Sequence, residues 1–103
     1  MHKLVEKEFA KTIPQGTAER LRTPEEMAAY LDTWFASTPD DAAEIARAFG
    51  DIARAKGMSK VAREAGLTRE GLYKALSEHG NPSFATVLKV ARALGVRLHA
   101  AAA

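Results

Sequence analysis

The sequence predicts an all-α bundle of about five helices built around a helix-turn-helix. Three observations predict it. Thr-Pro pairs at 23–24 and 38–39 each precede an apolar stripe of helical period. Residues 58–77 carry small and apolar side chains at the spacing of two helices crossing at a tight turn. A third apolar stripe, at 84–94, opens on Ser83 and closes on Gly95.

Residues 1–22 read as an N-terminal arm. Leu4, Val5, Phe9 and Ile13 are scattered among charges, and Pro14-Gln15-Gly16 is a turn signal, so a short strand and a mobile arm fit equally well. Residues 23–103 then form a single helical domain. Thr23-Pro24-Glu25-Glu26 combines an N-cap hydroxyl, proline at the first helical position and the glutamate that closes a capping box. The helix it opens runs to about Phe35, with Met27, Tyr30, Leu31 and Trp34 on one face. Ser37-Thr38-Pro39 repeats the start signal, and Asp40 and Asp41 fall in the first turn, where carboxylates favour the helix dipole. Ala42, Ile45, Ala46, Phe49, Ile52 and Ala53 continue as a stripe toward Gly57, and Gly50 within it marks a close helix contact.

In the 58–77 segment, Ala62 stands where two helices cross and only a short side chain fits. Gly66 can take positive φ for a sharp exit from the first helix. Thr68 offers an N-cap hydroxyl, Leu72 pins the second helix, and Val61, Ala65, Leu67 and Ala75 fill the other apolar positions. Two amphipathic helices that merely build a core are the plainer alternative. A flanking helix favours the DNA-binding reading, because two short helices bury too little to stand alone. It is supplied after the His79–Ser83 turn, where Phe84, Val87, Leu88, Ala91 and Leu94 recur at helical spacing. Val96-Arg97-Leu98-His99 alternates as a short C-terminal edge strand would, and Ala100–Ala103 is expected to fray.

The 103 residues carry a net charge of +2, which conceals a division: residues 54–103 sum to +6 and residues 1–53 to −4. The basic half, containing the helix-turn-helix, suits a phosphate backbone. The acidic half suggests a second, basic partner, with an ordinary solvated face as the alternative. There is no cysteine, so neither disulfides nor thiolate metal sites are available. His2, His79 and His99 lack metal-ligand spacing, and no nucleophile or acid–base pair converges, so neither an enzyme nor a cofactor is expected. No apolar run spans a membrane, and MHKLVEKEFAK has charges where a secretory signal needs an apolar block. A soluble cytoplasmic protein is expected.

On a recognition helix starting at Thr68, the first outward side chains meet base edges. Arg69 matches guanine O6 and N7 or clamps a phosphate. Lys74 reaches a base or a phosphate. Tyr73 bonds a phosphate or packs on a thymine methyl. Glu70 accepts from cytosine N4, orients Arg69 or pairs with Lys74. Ser59 and Lys60 at the start of the first helix, and Asn81 and Ser83 before the flanking helix, are placed for phosphates, Ser83 doubling as a cap. Gly71 is unusual within a helix, costing about 1 kcal/mol relative to alanine; close approach to the DNA backbone or to the first helix would account for it.

The segments DIARAKGMS (51–59), AREAGLTREGLYKAL (62–76) and GNPSFATVLKVARALGVRL (80–98) resemble the HigA-like family of addiction-module antidote proteins, a branch of the Xre/Cro-type, lambda-repressor-like helix-turn-helix repressors. The resemblance runs from about Tyr30 to the C-terminus. It implies a type II antitoxin that binds double-stranded operator DNA as a dimeric autorepressor and neutralises a small basic toxin of the RelE/ParE type. Two positions depart from the Xre pattern. Met58-Ser59-Lys60 replaces a longer glutamine-containing turn, shifting that phosphate contact to Ser59 or Lys60, and Leu76 stands where glutamate is common. Toxin capture then falls to the N-terminal half: acidic Glu25, Glu26, Asp32, Asp40, Asp41 and Glu44 complement a basic surface, and Phe35 provides an aromatic anchor beside core Tyr30 and Trp34. One unit reads few base pairs, so a homodimer on a palindrome is expected, with the 84–94 helix or the Val96–His99 segment at its interface. The alternative is a free-standing Xre-type regulator without a toxin.

Overall fold

The computed structural model describes residues 21–103, and the arm expected before them lies largely outside this range. Five helices follow in order: α1 (Pro24–Ser37), α2 (Ala42–Lys56), α3 (Met58–Ala65), α4 (Arg69–Ala75) and α5 (Phe84–Leu94). The all-α class and helix count are as the sequence predicts, and the bundle is of the helix-turn-helix type. Helix α2 is the central element, packing against α1, α3 and α5, while α3 packs against α4 and α5. Phe49 and Ile52 of α2 meet Val61, Leu72, Leu76, Val90 and Leu94 in one fully buried core.

Helix α1 begins as its sequence dictates. Thr23 Oγ1 accepts from the Glu26 N–H at 3.1 Å, and the Glu26 carboxylate accepts from the Thr23 and Arg22 N–H groups, both at 3.1 Å. Those backbone bonds hold the Glu26 carboxyl below its usual range. Helix α2 starts differently from the expectation. Thr38 closes α1, its N–H and hydroxyl both bonding the Trp34 carbonyl at 2.8 and 2.9 Å. Asp41 is the true N-cap, accepting from the Glu44 N–H at 3.1 Å. A Thr-Pro pair signals a start only if the threonine hydroxyl is free to face forward, and this one faces back.

Gly50 is buried with the Leu76 carbonyl oxygen 3.0 Å from where a Cβ would stand, so α2 passes against the end of α4 as its glycine suggests. Helix α5 closes on Gly95 at φ 81°, with Gly95 N–H bonded to Arg92 O and Val96 N–H to Ala91 O, each at 3.0 Å. Two expectations for this end of the chain are corrected. Residues Val96–His99 form no strand, because a strand needs a paired backbone and no described segment supplies one. Phe84 and Leu88 are not core residues: they are 72% and 46% exposed. At 100° per residue the buried arc of Val90, Ala91, Ala93 and Leu94 centres roughly a quarter turn from Phe84, so apolar spacing alone overstates the inward face.

One charged side chain among the described residues is wholly buried in the core. Asp51 of α2 has no solvent exposure; it accepts from the Tyr30 hydroxyl at 2.7 Å and from Arg54 Nη2 at 3.2 Å. Burial pushes its carboxyl up to about 6, against the opposing pull of Tyr30 and Arg54. Burial, and then the bond to Asp51, also raise the Tyr30 hydroxyl. Between the ordinary value of 3.8 and about 6 the folded chain therefore binds a proton that the unfolded chain releases. The associated stability is full below that window, is lost as pH rises through it, and is flat above. Asp51→Asn keeps an acceptor for Tyr30 and removes the charge. It should gain roughly 1–3 kcal/mol on the wild type between pH 4 and pH 7, in denaturant melts run at both values. A difference that stays constant with pH would refute the assignment.

Candidate nucleic-acid interface

Helices α3 and α4 are joined through a turn of three residues. Gly66 sits at φ 73°, ψ 32°, the left-handed region that its missing Cβ permits, and nothing lies within 4 Å of where a Cβ would stand. Its role is conformational rather than steric. Gly66 N–H bonds Arg63 O at 3.2 Å and Leu67 N–H bonds Ala62 O at 2.8 Å, ending α3 in the double-bonded cap that lets the chain reverse. Ala62 is buried at the crossing, as are Val61 and Ala65. Thr68 then caps α4, its Oγ1 accepting from the Gly71 N–H at 2.9 Å.

Of the seven residues of α4, Leu72 alone is buried, with no exposure. Thr68, Arg69, Glu70, Tyr73 and Lys74 all face solvent. The Arg69 guanidinium lies over the Tyr73 ring, 5.4 Å from its centroid, and Tyr73 is 42% exposed. This arrangement puts the pair one turn apart on the outer face, with the ring bracing the guanidinium while its in-plane donors stay free. Among the described residues Glu70 makes no ion pair with Lys74. Gly71 owes its identity to a local cause: a Cβ there would stand 2.8 Å from the capping Thr68 Oγ1. The first helix is not the neighbour that excludes it.

The other expected contacts flank this face. Ser59 and Lys60 are exposed on the first turn of α3, and that helix has no side-chain cap, so its leading N–H groups are unengaged by side chains. Asn81 and Ser83 are exposed before α5. The Ser83 hydroxyl, however, is engaged on both sides: it accepts from the Thr86 N–H at 3.1 Å and bonds Thr86 Oγ1 at 3.0 Å. Its cap role is the one realised here, and Thr86 is the polar neighbour that sequence spacing did not single out.

Several charges counted in the two-ended pattern are structural. Lys56 bonds the Ala93 carbonyl at 2.6 Å and pairs with Glu64 at 3.3 Å, tying α2 to the end of α5. Arg54 is paired with Asp51. Arg47 bridges Glu44 and Glu78 at 3.5 and 3.6 Å. Glu44 is itself buried and paired with Arg47, so the expected acidic face loses it. Glu26 and Asp41 remain exposed but act as caps. Glu25 and Asp32, seven residues apart, stay on one outer face of α1 about 10 Å apart. Phe35, 39% exposed, stands one turn beyond Asp32, and Asp40 follows in the loop. Trp34 is buried and meets half-buried Tyr30 edge-on, 6.4 Å between centroids, so those two aromatics are core as expected.

No helix among the described residues is long and apolar enough to cross a membrane. Residues 11–102 match a family model described as "Probable addiction module antidote protein". The chain is also similar to an uncharacterized protein of Haemophilus influenzae (strain ATCC 51907 / DSM 11121 / KW20 / Rd), 52% identical over 80 residues, covering 78% of this chain and 80% of that relative. No solved structure matches it significantly.

Proposed function

Because the chain belongs to the family of probable addiction module antidote proteins, we propose that it is the antitoxin of a type II module. In this reading it binds its own operator as a dimer and captures a small basic toxin of the RelE/ParE type. Family membership supplies the toxin partner. The observation that carries the DNA half is the contrast within α4, where Leu72 is wholly buried while Arg69, Tyr73 and Lys74 are exposed to solvent. A short helix anchored by one residue and presenting arginine, tyrosine and lysine outward has the chemistry of a major-groove probe. Arg69 reads guanine, Lys74 and Lys60 neutralise phosphates, and the uncapped start of α3 directs N–H groups at the backbone. The Xre-type regulator without a toxin shares this DNA surface but gives no account of the antidote family.

The capture surface is the outer side of α1, where Glu25 and Asp32 flank the approach to Phe35. Exposed charges of this kind set the encounter rate more than the final affinity. The double substitution Glu25→Lys, Asp32→Lys should slow association with the toxin at low salt by roughly tenfold or more, and the deficit should shrink as salt rises. Operator binding should be unchanged. Stopped-flow association at two ionic strengths reads this directly, and equal rates for variant and wild type would remove α1 from the capture surface. The function as a whole is tested by titrating the chain against its own promoter region and a scrambled duplex, beside co-purification with the basic protein encoded next to it. Equal affinity for both duplexes together with no co-purifying partner would overturn the reading.

A further inference from the structure

A groove of about 430 Å³ lies between α1 and the chain that follows α5. Ala28, Ala29, Leu31 and Phe35 line it from α1, with Asp32 as its one acidic residue, and residues 96–99 form the other wall. That wall is built like a strand without being one. Val96 is buried, Arg97 exposed, Leu98 half-buried and His99 exposed, the in-and-out alternation of a pleated segment. Among the described residues its backbone meets no partner beyond the bond from Val96 N–H to Ala91 O. An extended edge beside an apolar groove is a template for one more strand.

We propose that the occupant is the chain's own N-terminal arm, with residues Val5–Phe9 seated in the groove as a strand paired to residues 96–99. Three observations select it. The described chain starts at one end of the groove: Pro24 Cγ lies 3.2 Å from where a Cβ on Gly95 would stand, and buried Leu21 shares a pocket with Leu94. The arm is long enough. Residues 10–20 span up to about 36 Å when extended, against about 13 Å for residues 96–99, and Pro14-Gln15-Gly16 supplies a turn for the return. The charges also match on both faces. In an extended Val5-Glu6-Lys7-Glu8-Phe9 the two glutamates fall on one side, and Val5, Lys7 and Phe9 on the other. Paired to residues 96–99, the glutamates stand opposite the outward Arg97 and His99, while Val5 and Phe9 enter the groove and Lys7 meets Asp32. Asp32 and Phe35 also belong to the surface proposed for toxin capture, so arm and toxin compete for it. That competition rests on the capture reading; the docking of the arm does not.

The chain has no cysteine, so an introduced pair in the full chain reports proximity without interference. Glu8→Cys combined with Arg97→Cys, or with His99→Cys, sets thiols across the two strands at disulfide distance. One of these pairs should close within a monomer, at least about tenfold faster than Glu8→Cys with Glu70→Cys on the exposed side of α4. Which pair closes reads the strand direction. In the wild type, amide exchange at residues 97–99 should be slowed by roughly tenfold or more, and Phe9→Asp should abolish this while α2 keeps its protection. Closure only at the control rate, covalent dimers in place of crosslinked monomers, or free exchange at residues 97–99 in the wild type would each overturn the docking. Phe9→Asp should also speed toxin capture severalfold, since only the arm-free fraction is competent. Capture by that variant at the wild-type rate, with crosslink and protection in place, would leave the arm standing and remove this groove from the capture surface.

Discussion

Replacing Arg69 with alanine is expected to weaken operator binding by about 1–3 kcal/mol per subunit, hence by roughly 30- to 20,000-fold for a dimer engaging two half-sites. The guanidinium is held over the Tyr73 ring at 5.4 Å, which restricts where its donors point. A braced, planar fork is suited to the paired acceptors of guanine, whereas a phosphate contact needs only a mobile point charge. The loss should therefore fall on the operator and not on random duplex, and the ratio of the two affinities should collapse. Tyr73→Ala should reproduce part of this effect by freeing the arginine. The salt dependence distinguishes the alternative. A phosphate clamp at Arg69 would lower the log–log salt slope by about one per subunit on substitution, whereas a guanine reader leaves it nearly unchanged. Fluorescence anisotropy over a salt series reads both quantities. Wild-type behaviour of Arg69→Ala on both duplexes would show that sequence is read elsewhere.

Much of this site was legible because its signals are local. Thr23, Pro24 and Glu26 build a capping box from neighbours within one turn, and Gly66 and Gly95 adopt the positive φ that their positions at helix ends imply. Thr68 caps α4 through a residue three positions on. The failures arise where a local signal admits two uses. Thr38 has the type of an N-cap but bonds backward to Trp34. Phe84 has the spacing of a core residue, yet the direction of the buried arc is set by α2 and α3, which no stripe on α5 reveals. Glu44 reads as one of a row of carboxylates until Arg47 and Glu78 fold around it. The Tyr30–Asp51 bond joins residues 21 positions apart, and only tertiary packing brings them together. Composition could therefore locate the charged halves, but not tell an exposed carboxylate from one holding the core.

The largest effect on the folded state is expected from Leu72→Ala. Helix α4 has seven residues, far below the length at which a helix stands alone in water. Its place depends on Leu72, which is fully buried, and on Leu76 at its C-terminal cap. Truncating a buried leucine costs about 2–5 kcal/mol through lost transfer energy and the cavity left behind. In a small domain each kcal/mol lowers the melting temperature by about 4–8 °C, so a fall of roughly 8–40 °C is expected. Function should fail before the bundle does. Helices α1, α2, α3 and α5 retain their mutual contacts, while α4 packs chiefly against α3 and keeps as its other buried anchor only Leu76, at its C-terminal cap. Amide exchange in Gly71–Ala75 should therefore accelerate more than in α2 at temperatures where most of the bundle persists, with operator binding lost in the same range. Arg69 would still be present, but on a segment that no longer holds it against Tyr73 in a fixed direction. Uniform acceleration across α2 and α4 would show instead that the probe and its support unfold as one unit, and that the single leucine is not what sets the rigidity of the reading surface.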